Sequence, residues 1–316
     1  MKNNSWLAAI AAVVLLGAIV SVTSADEKQF TAWSAAVNLG QVVNSTNYDA
    51  CPTISKSGLS LYFRSNRPGG EGGYDLWVSQ RDSLEDAWEA PVNLGPTING
   101  PSNEYCSGFS VDGHWMVFVS DRSGCGSQDL WITHRQNKRD DFGWETPTNL
   151  GCVVNSSSQE NGPSIFEDEA AGQTLLYYSS NRPGGLGLLD IYVSGAVSDE
   201  KDYFGQPSLV SELSSGSADY QPVVRKDGLE VIFASNRPGG IGATINNDLW
   251  VSTRDNTLVP WSPPVNLGPL VNSAQSDFRP ALSSDGSTLI FASERPGGEG
   301  SADLYMCTRT KLRDQK

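Results

Sequence analysis

The stretch SNRPGGEGGYDLWVS, Ser65 to Ser79, joins an Arg, a Pro and four Gly to an Asp followed by an aromatic residue. Alone it has the composition of an active-site loop. The chain, however, repeats it: SDRSGCGSQDLWIT from Ser120, SNRPGGLGLLDIYVS from Ser180, SNRPGGIGATINNDLWVS from Ser235 and SERPGGEGSADLYMC from Ser293. A residue present in every copy is first a scaffold residue, and the stretch reads as the corner of a repeating unit. Taking Arg67, Arg122, Arg182, Arg237 and Arg295 as markers, the spacings are 55, 60, 55 and 58 residues.

A second motif precedes each marker, as WSAAVNLGQVVNS from Trp33, WEAPVNLGPTING from Trp88, WETPTNLGCVVNS from Trp144 and WSPPVNLGPLVNS from Trp261. The copy from Phe204, FGQPSLVSELSSG, has lost the pattern. Within a unit, four short β-rich segments alternate with turn residues, which is strand punctuation and not helix. Asp-Gly pairs at Asp112, Asp227 and Asp285, with Ser57-Gly58 in the first copy, mark hairpins between the first two strands. Four antiparallel strands at this period predict an all-β fold, a single β-propeller of five four-stranded blades. The last unit lacks its outer strand, and Trp33 to Leu39 is placed to supply it. Closing the last blade with the N-terminal strand removes exposed sheet edges.

The N-terminus places Lys2 ahead of an apolar run from Trp6 to Val20, followed by small residues around Thr23, Ser24 and Ala25. That is the form of a secretory signal peptide, and the run falls short of the roughly 20 residues a spanning helix needs. The expected organisation is a signal peptide over 1–25 and a propeller over 26–316, exported to the periplasm or the exterior and without stable membrane insertion once the signal is removed. The formal net charge of −14 disfavours nucleic acid and other phosphate-rich partners.

The repeated Ser-Asn-Arg-Pro-Gly-Gly, the Asp-Leu-Trp or Asp-Ile-Tyr after it and the Asp-Gly hairpin resemble the WD40-like repeats called PD40, found in TolB-type propellers. The resemblance covers nearly the whole chain beyond the signal peptide. It implies an exported bacterial propeller that binds other proteins, here a non-catalytic scaffold for a protein partner in the cell envelope. The alternative is a carbohydrate-binding or carbohydrate-hydrolysing propeller using an acidic channel mouth.

In a propeller the start of strand one, the end of strand two and the start of strand three share one face. Asp49, Arg67 and Asp75 occupy those places in the first unit. The equivalent sets are Glu104, Arg122 and Asp129; Glu160, Arg182 and Asp190; Asp219, Arg237 and Asp248; and Asp277, Arg295 and Asp303. Each Arg is expected between two carboxylates, which suits its forked guanidinium. Five acids near the opening also resemble, in outline, the carboxylates of five-bladed glycoside hydrolases. Their uniformity argues against catalysis, which needs acids in different environments. A ring of acids also offers some of the six to eight oxygens a Ca²⁺ ion takes. No other cofactor is implied: His114 and His134 are isolated, no GxSxG elbow occurs, and the recurring Trp88, Trp144 and Trp261 read as packing residues.

Variation between copies says more about binding than repetition does. Beside the acids stand Ala50 and Cys51, Tyr105 and Cys106, Asn161 and Gly162, Tyr220 and Gln221, and Phe278 and Arg279. These residues surround the channel mouth, and Tyr105, Tyr220, Phe278 and Arg279 are the candidate ligand-binding set. Blade four enlarges a loop on this face, IGATINND, while FEDEAAGQT and SGAVSDEKDYF enlarge blade three on the other. Of the five Cys, Cys125 and Cys152 fall on one face of blade two and form the favoured disulfide. Cys51 and Cys106 are the less favoured pair, because equivalent positions on adjacent inner strands risk a Cα separation above about 7 Å. Cys307 is then a buried thiol.

Overall fold

A computed structural model of the chain describes residues 29–197 and 203–312. The signal peptide expected over 1–25 lies outside the described residues, as does part of the SGAVSDEKDYF insertion. The chain opens with β1 (Val37–Asn38), then builds blade one from β2 (Asp49–Ile54), β3 (Ser60–Ser65), β4 (Asp75–Gln80) and β5 (Val92–Asn93). Blade two is β6 (Glu104–Phe109), β7 (Trp115–Ser120), β8 (Asp129–His134) and β9 (Thr148–Asn149). Blade three is β10 (Glu160–Asp168), β11 (Gln173–Ser180), β12 (Asp190–Gly195) and β13 (Ser208–Leu209). Blade four is β14 (Asp219–Val224), β15 (Glu230–Ser235), β16 (Asp248–Thr253) and β17 (Val265–Asn266). Blade five holds β18 (Asp277–Leu282), β19 (Thr288–Ser293) and β20 (Asp303–Thr308), and β1 completes it, giving five four-stranded antiparallel sheets.

Closure runs through the register Val37↔Met306 and Asn38↔Tyr305. Asn44 reinforces it: its amide nitrogen donates to the Leu304 carbonyl at 3.1 Å and its oxygen accepts the Leu304 N–H at 2.8 Å. The same Asn arrangement recurs as Asn99 on Leu76, Asn155 on Leu130 and Asn272 on Leu249. Each Asn supplies donor and acceptor to one buried backbone residue, which is why the NLG segment ends in Asn. The degenerate fourth copy has Ser214 there, and among the described residues its hydroxyl meets only the Ile191 N–H, at 3.1 Å.

The second strand of each blade carries the core. All six residues of β3 and of β15 are buried, because both faces pack against neighbouring blades. Polar staples cross the same boundaries. Asp141, at the foot of blade two, accepts from Arg135 at 2.8 Å and, in blade one, from Tyr62 and Ser60 at 2.6 Å and Gln80 at 2.8 Å. Burial beside that carboxylate pushes the Tyr62 phenol well above its ordinary range. Among the described residues no helix is long and apolar enough to cross a membrane.

Candidate ligand site at the channel mouth

At each blade corner the end of the second strand meets the start of the first. Arg67 Nη2 donates to Asp49 Oδ1 and to the Val43 carbonyl, both at 2.7 Å, and its Nε donates to Ser65 Oγ at 3.0 Å. Arg122–Glu104, Arg182–Glu160, Arg237–Asp219 and Arg295–Asp277 repeat the ion pair at 2.7, 3.0, 2.5 and 2.6 Å. The third member of each expected set is not part of it. Asp75 instead accepts the N–H groups of Glu71 and Gly72 and the Asn93 amide, at 2.5, 3.2 and 3.0 Å, and Asp129, Asp190, Asp248 and Asp303 hold their own turns similarly. Close approach is the cause: a Cβ on Gly70 would lie 1.8 Å from Asp75 Oδ2, so the turn wraps the carboxylate and leaves no room for Arg67.

These corners are saturated. Asp49, Glu104, Glu160, Asp219 and Asp277 are fully buried, and their oxygens are spent on Arg, Ser and backbone donors. Burial pushes the Glu104 carboxyl up, against the pull of Arg122. They therefore do not form the acidic channel mouth, and their oxygens do not compose an open Ca²⁺ shell.

The next residues along the first strands behave differently. Each of those strands carries a register shift near its start, and Cys51, Gly162, Gln221 and Arg279 adopt φ of 56°, 60°, 55° and 58°. For a side-chain-bearing residue that left-handed conformation costs about 1–2 kcal/mol. The following Pro52, Pro163, Pro222 and Pro280 have no N–H for the ladder, and a bulge there turns the preceding side chain toward the axis. Cys51 and Cys106 meet as a disulfide with Cα atoms 4.8 Å apart. The bulge thus draws the less favoured pair closer than equivalent positions on adjacent strands suggest. Arg279 lays its guanidinium against both sulfurs, and Gln221 Nε2 lies 3.8 Å from Cys106 Sγ. At the remaining position a Cβ on Gly162 would fall 2.6 Å from Gln221 Cα, so only Gly fits. Together these groups plug the channel at its waist. Beyond the plug, toward the opposite face, is a cavity of about 140 Å³ that Gln221 and Arg279 border and that Pro52, Ser107, Pro163 and Pro222 help to line.

Above the plug, on the corner face, blade one departs from the other blades. Tyr220 faces Ala234 and Phe278 faces Ala292 across their strand pairs, large residue on the inner strand and small on the second. Blade one inverts the sizes, with Ala50 opposite Arg64. Arg64 fills the space Ala50 leaves and lies 4.9, 4.7 and 5.2 Å from the ring centroids of Tyr48, Tyr74 and Tyr105. Those rings continue from Phe278: centroids are 6.4 Å apart for Phe278 and Tyr48, 5.9 Å for Tyr48 and Tyr74, and 6.0 Å for Tyr74 and Tyr105. The Tyr105 hydroxyl reaches Asp121 at 3.3 Å, and Asp121 also accepts the Asn103 N–H and amide. Burial and the Asp121 charge push the Tyr105 phenol up; burial does the same to Tyr220, against the pull of Arg279. Burial and the Arg64 charge push Arg279 down to about 9, which leaves it a cation at neutral pH.

The expected binding residues thus gather in one place, with unequal access. Tyr105 and Tyr220 are half-buried at the mouth and Arg279 forms its floor, whereas Phe278 is buried and backs Tyr48. Reasoning from the sequence missed Arg64, Tyr48, Tyr74 and Asp121. The signal for Arg64 was its position, where the other second strands carry Val119, Ser179, Ala234 and Ala292. Cys125 and Cys152 form a disulfide with Cα atoms 5.6 Å apart, and Cys307 is a buried thiol. His114 and His134 stack on each other near the hairpin of blade two, remote from the mouth. Trp144 and Trp261 are buried and Trp88 half-buried, covered by Arg135, Arg254 and Arg81 at 4.3, 4.1 and 4.3 Å.

No family model and no curated protein matches the chain. Solved structures do. An α-L-arabinofuranosidase from Podospora anserina in complex with cellotriose is 12% identical, with a TM-score of 0.57 over 89% of this chain and 98% of that one. A GH62 hydrolase in complex with xylotriose is 13% identical, with a TM-score of 0.59 over 89% and 98%. An α-L-arabinofuranosidase from Lactobacillus brevis is 12% identical, with a TM-score of 0.58 over 88% and 95%. At such identity the likeness carries the fold. It also corrects the family reading: the PD40 and TolB resemblance finds no matching family model, and the similar propellers are glycoside hydrolases. The cell-envelope protein scaffold, which rested on that resemblance, falls with it.

Proposed function

We propose that the chain is an exported, carbohydrate-active propeller that recognises sugar at the channel mouth. The carrying observation is a set of unpartnered polar atoms. Arg64 Nε, Arg279 Nε, Asn161 Oδ1 and Gln221 Oε1 are all buried without a hydrogen-bond partner among the described residues. Orphaned groups of this kind each cost about 1–3 kcal/mol. Arg279 and Gln221 both meet Cys106, Gly162 beside Asn161 packs on Gln221, and Arg64 and Arg279 flank Tyr48. Two donors and two acceptors grouped in this way around the channel suit a ligand that both donates and accepts at closely spaced positions, as sugar hydroxyls do. The half-buried tyrosines add rigid area with hydroxyl tips. The fold shared with enzymes whose structures hold cellotriose and xylotriose supports the same reading. Export is supported by the N-terminal pattern and by two disulfides, which persist in oxidising compartments.

One observation favours a hydrolytic version. Glycoside hydrolysis takes two carboxylates facing the bond. At the position after each second strand, three blades carry Asn66, Asn181 and Asn236 and two carry acids, Asp121 and Glu294. Asp121 lies beside Tyr105, and Glu294 is exposed and close enough to Tyr220 to act on its phenol. Calorimetric titration with a panel of oligosaccharides, with release of reducing ends followed in parallel, tests both versions. Binding by at least one glycan, weakened about tenfold or more by Tyr105→Ala with an unchanged melt, is the expected result. If no member of the panel binds, the sugar reading fails. Turnover that survives Asp121→Asn and Glu294→Gln removes those acids from the chemistry.

A further inference from the structure

The described arginines differ in what they meet. Arg67, Arg122, Arg182, Arg237 and Arg295 each hold a carboxylate and a backbone carbonyl, and Arg135, Arg225 and Arg309 are paired with Asp or Glu. Arg81 and Arg254 donate to backbone carbonyls while covering a Trp. Exposed Arg139 aside, Arg64 and Arg279 are the exceptions. Neither forms an ion pair or a carbonyl hydrogen bond with a described residue, and each keeps a buried, unpartnered Nε. Arg64 is only 7% exposed and has three tyrosine faces for company, while Arg279 has two sulfurs and the Tyr48 side chain.

Two guanidiniums near enough to repel each other, inside a chain of net charge −14, are an expensive arrangement without a counter-charge. The tyrosine faces offset part of the cost for Arg64 through their quadrupoles. They do not satisfy its N–H groups. We infer that the sugar this mouth takes is acidic, a uronic acid whose carboxylate lies between Arg64 and Arg279 while its hydroxyls meet Asn161 and Gln221. A planar carboxylate matches the guanidinium fork, and in a water-poor site the charge-assisted contact carries much of the discrimination. The inference deepens the sugar-binding reading and rests on it.

The test compares galacturonic acid oligomers with the same oligomers after reduction of every carboxyl to a primary alcohol, by calorimetry on the full chain at neutral pH. The acidic form is expected to bind at least tenfold more tightly. Arg64→Gln and Arg279→Gln are each expected to erase most of that ratio while leaving residual binding of the reduced form, with folding checked by melting temperature. Equal affinity of wild-type protein for the two forms overturns the acidic-sugar inference and leaves sugar recognition standing. A ratio that persists in both variants overturns it as well. If the panel of the preceding section and both oligomer forms all fail to bind, the sugar reading itself is lost. The wild-type comparison needs no variant, so a substitution that fails to fold does not shield the inference.

Discussion

The blade corners and the channel waist lie one or two residues apart on the same strands, and they are built on opposite rules. At the corner, Asp219 is followed along the fold by Arg237, Ser215 and the Leu213 carbonyl, with every strong donor matched. Two residues further, Gln221 leaves an oxygen unpartnered, and in the next blade Arg279 leaves a nitrogen so. The five corner ion pairs are saturated, whereas the variable positions at the waist keep unmet polar capacity. Groups that close on themselves hold the loops; groups left open have something to offer a ligand.

Three substitutions sharpen or break this contrast. The largest effect is expected from Asp219→Ala, which strands Arg237 beside a buried void. Breaking a buried pair from one side costs about 3–5 kcal/mol, so a marked fall in melting temperature is expected, and a change below about 1 kcal/mol would mean that the corners are ornamental. Arg279→Met should act in the reverse direction. It removes a buried cation that has no counter-ion, so the melt should hold or rise by the equivalent of about 1 kcal/mol; a fall like that of a corner variant would make Arg279 scaffold. The smallest effect is expected at Ser214→Asn, which supplies the missing amide donor to the Ile191 carbonyl in the degenerate copy. One added hydrogen bond contributes about 0.5–1.5 kcal/mol, readable as a small rise in denaturant midpoint, and no rise would show that this copy has repacked around its Ser.

How much of this could be read beforehand follows from the same division. Five spaced copies of the Arg corner, the Asp-Gly hairpins and the orphaned first strand were enough for the ring, its blade number and its closure, because each recurs with a single physical meaning. The pairing of Arg67 with Asp49 was legible too, but the exclusion of Asp75 was not: it depends on how tightly Gly70 folds over that carboxylate. Tyr105, Tyr220 and Arg279 were legible because those inner-strand positions vary between copies. Arg64 was not, because its signal lies across strands, where Ala50 and Arg64 exchange the sizes that Tyr220 and Ala234 display. The motif resemblance misled about family because Arg-Pro-Gly-Gly corners report how a blade turns, and a blade turns alike whatever the ring binds.

The closing strand carries a consequence for the order of events in folding. β1 is made first and β20 last, yet they share one sheet, and Asn44 bonds Leu304 across 260 residues of chain. Blades one to four can each gather their strands as they emerge, since their pairings are local. Blade five cannot finish until the last strand is available, so through synthesis the early segment waits unpaired while the opposite edge is still being made. Long-range pairing of this kind is slow and leaves strand edges open to other chains. The ring is therefore most vulnerable in its last moments of assembly, and a chain cut short before Asp303 would keep four blades and lose the means to lock them.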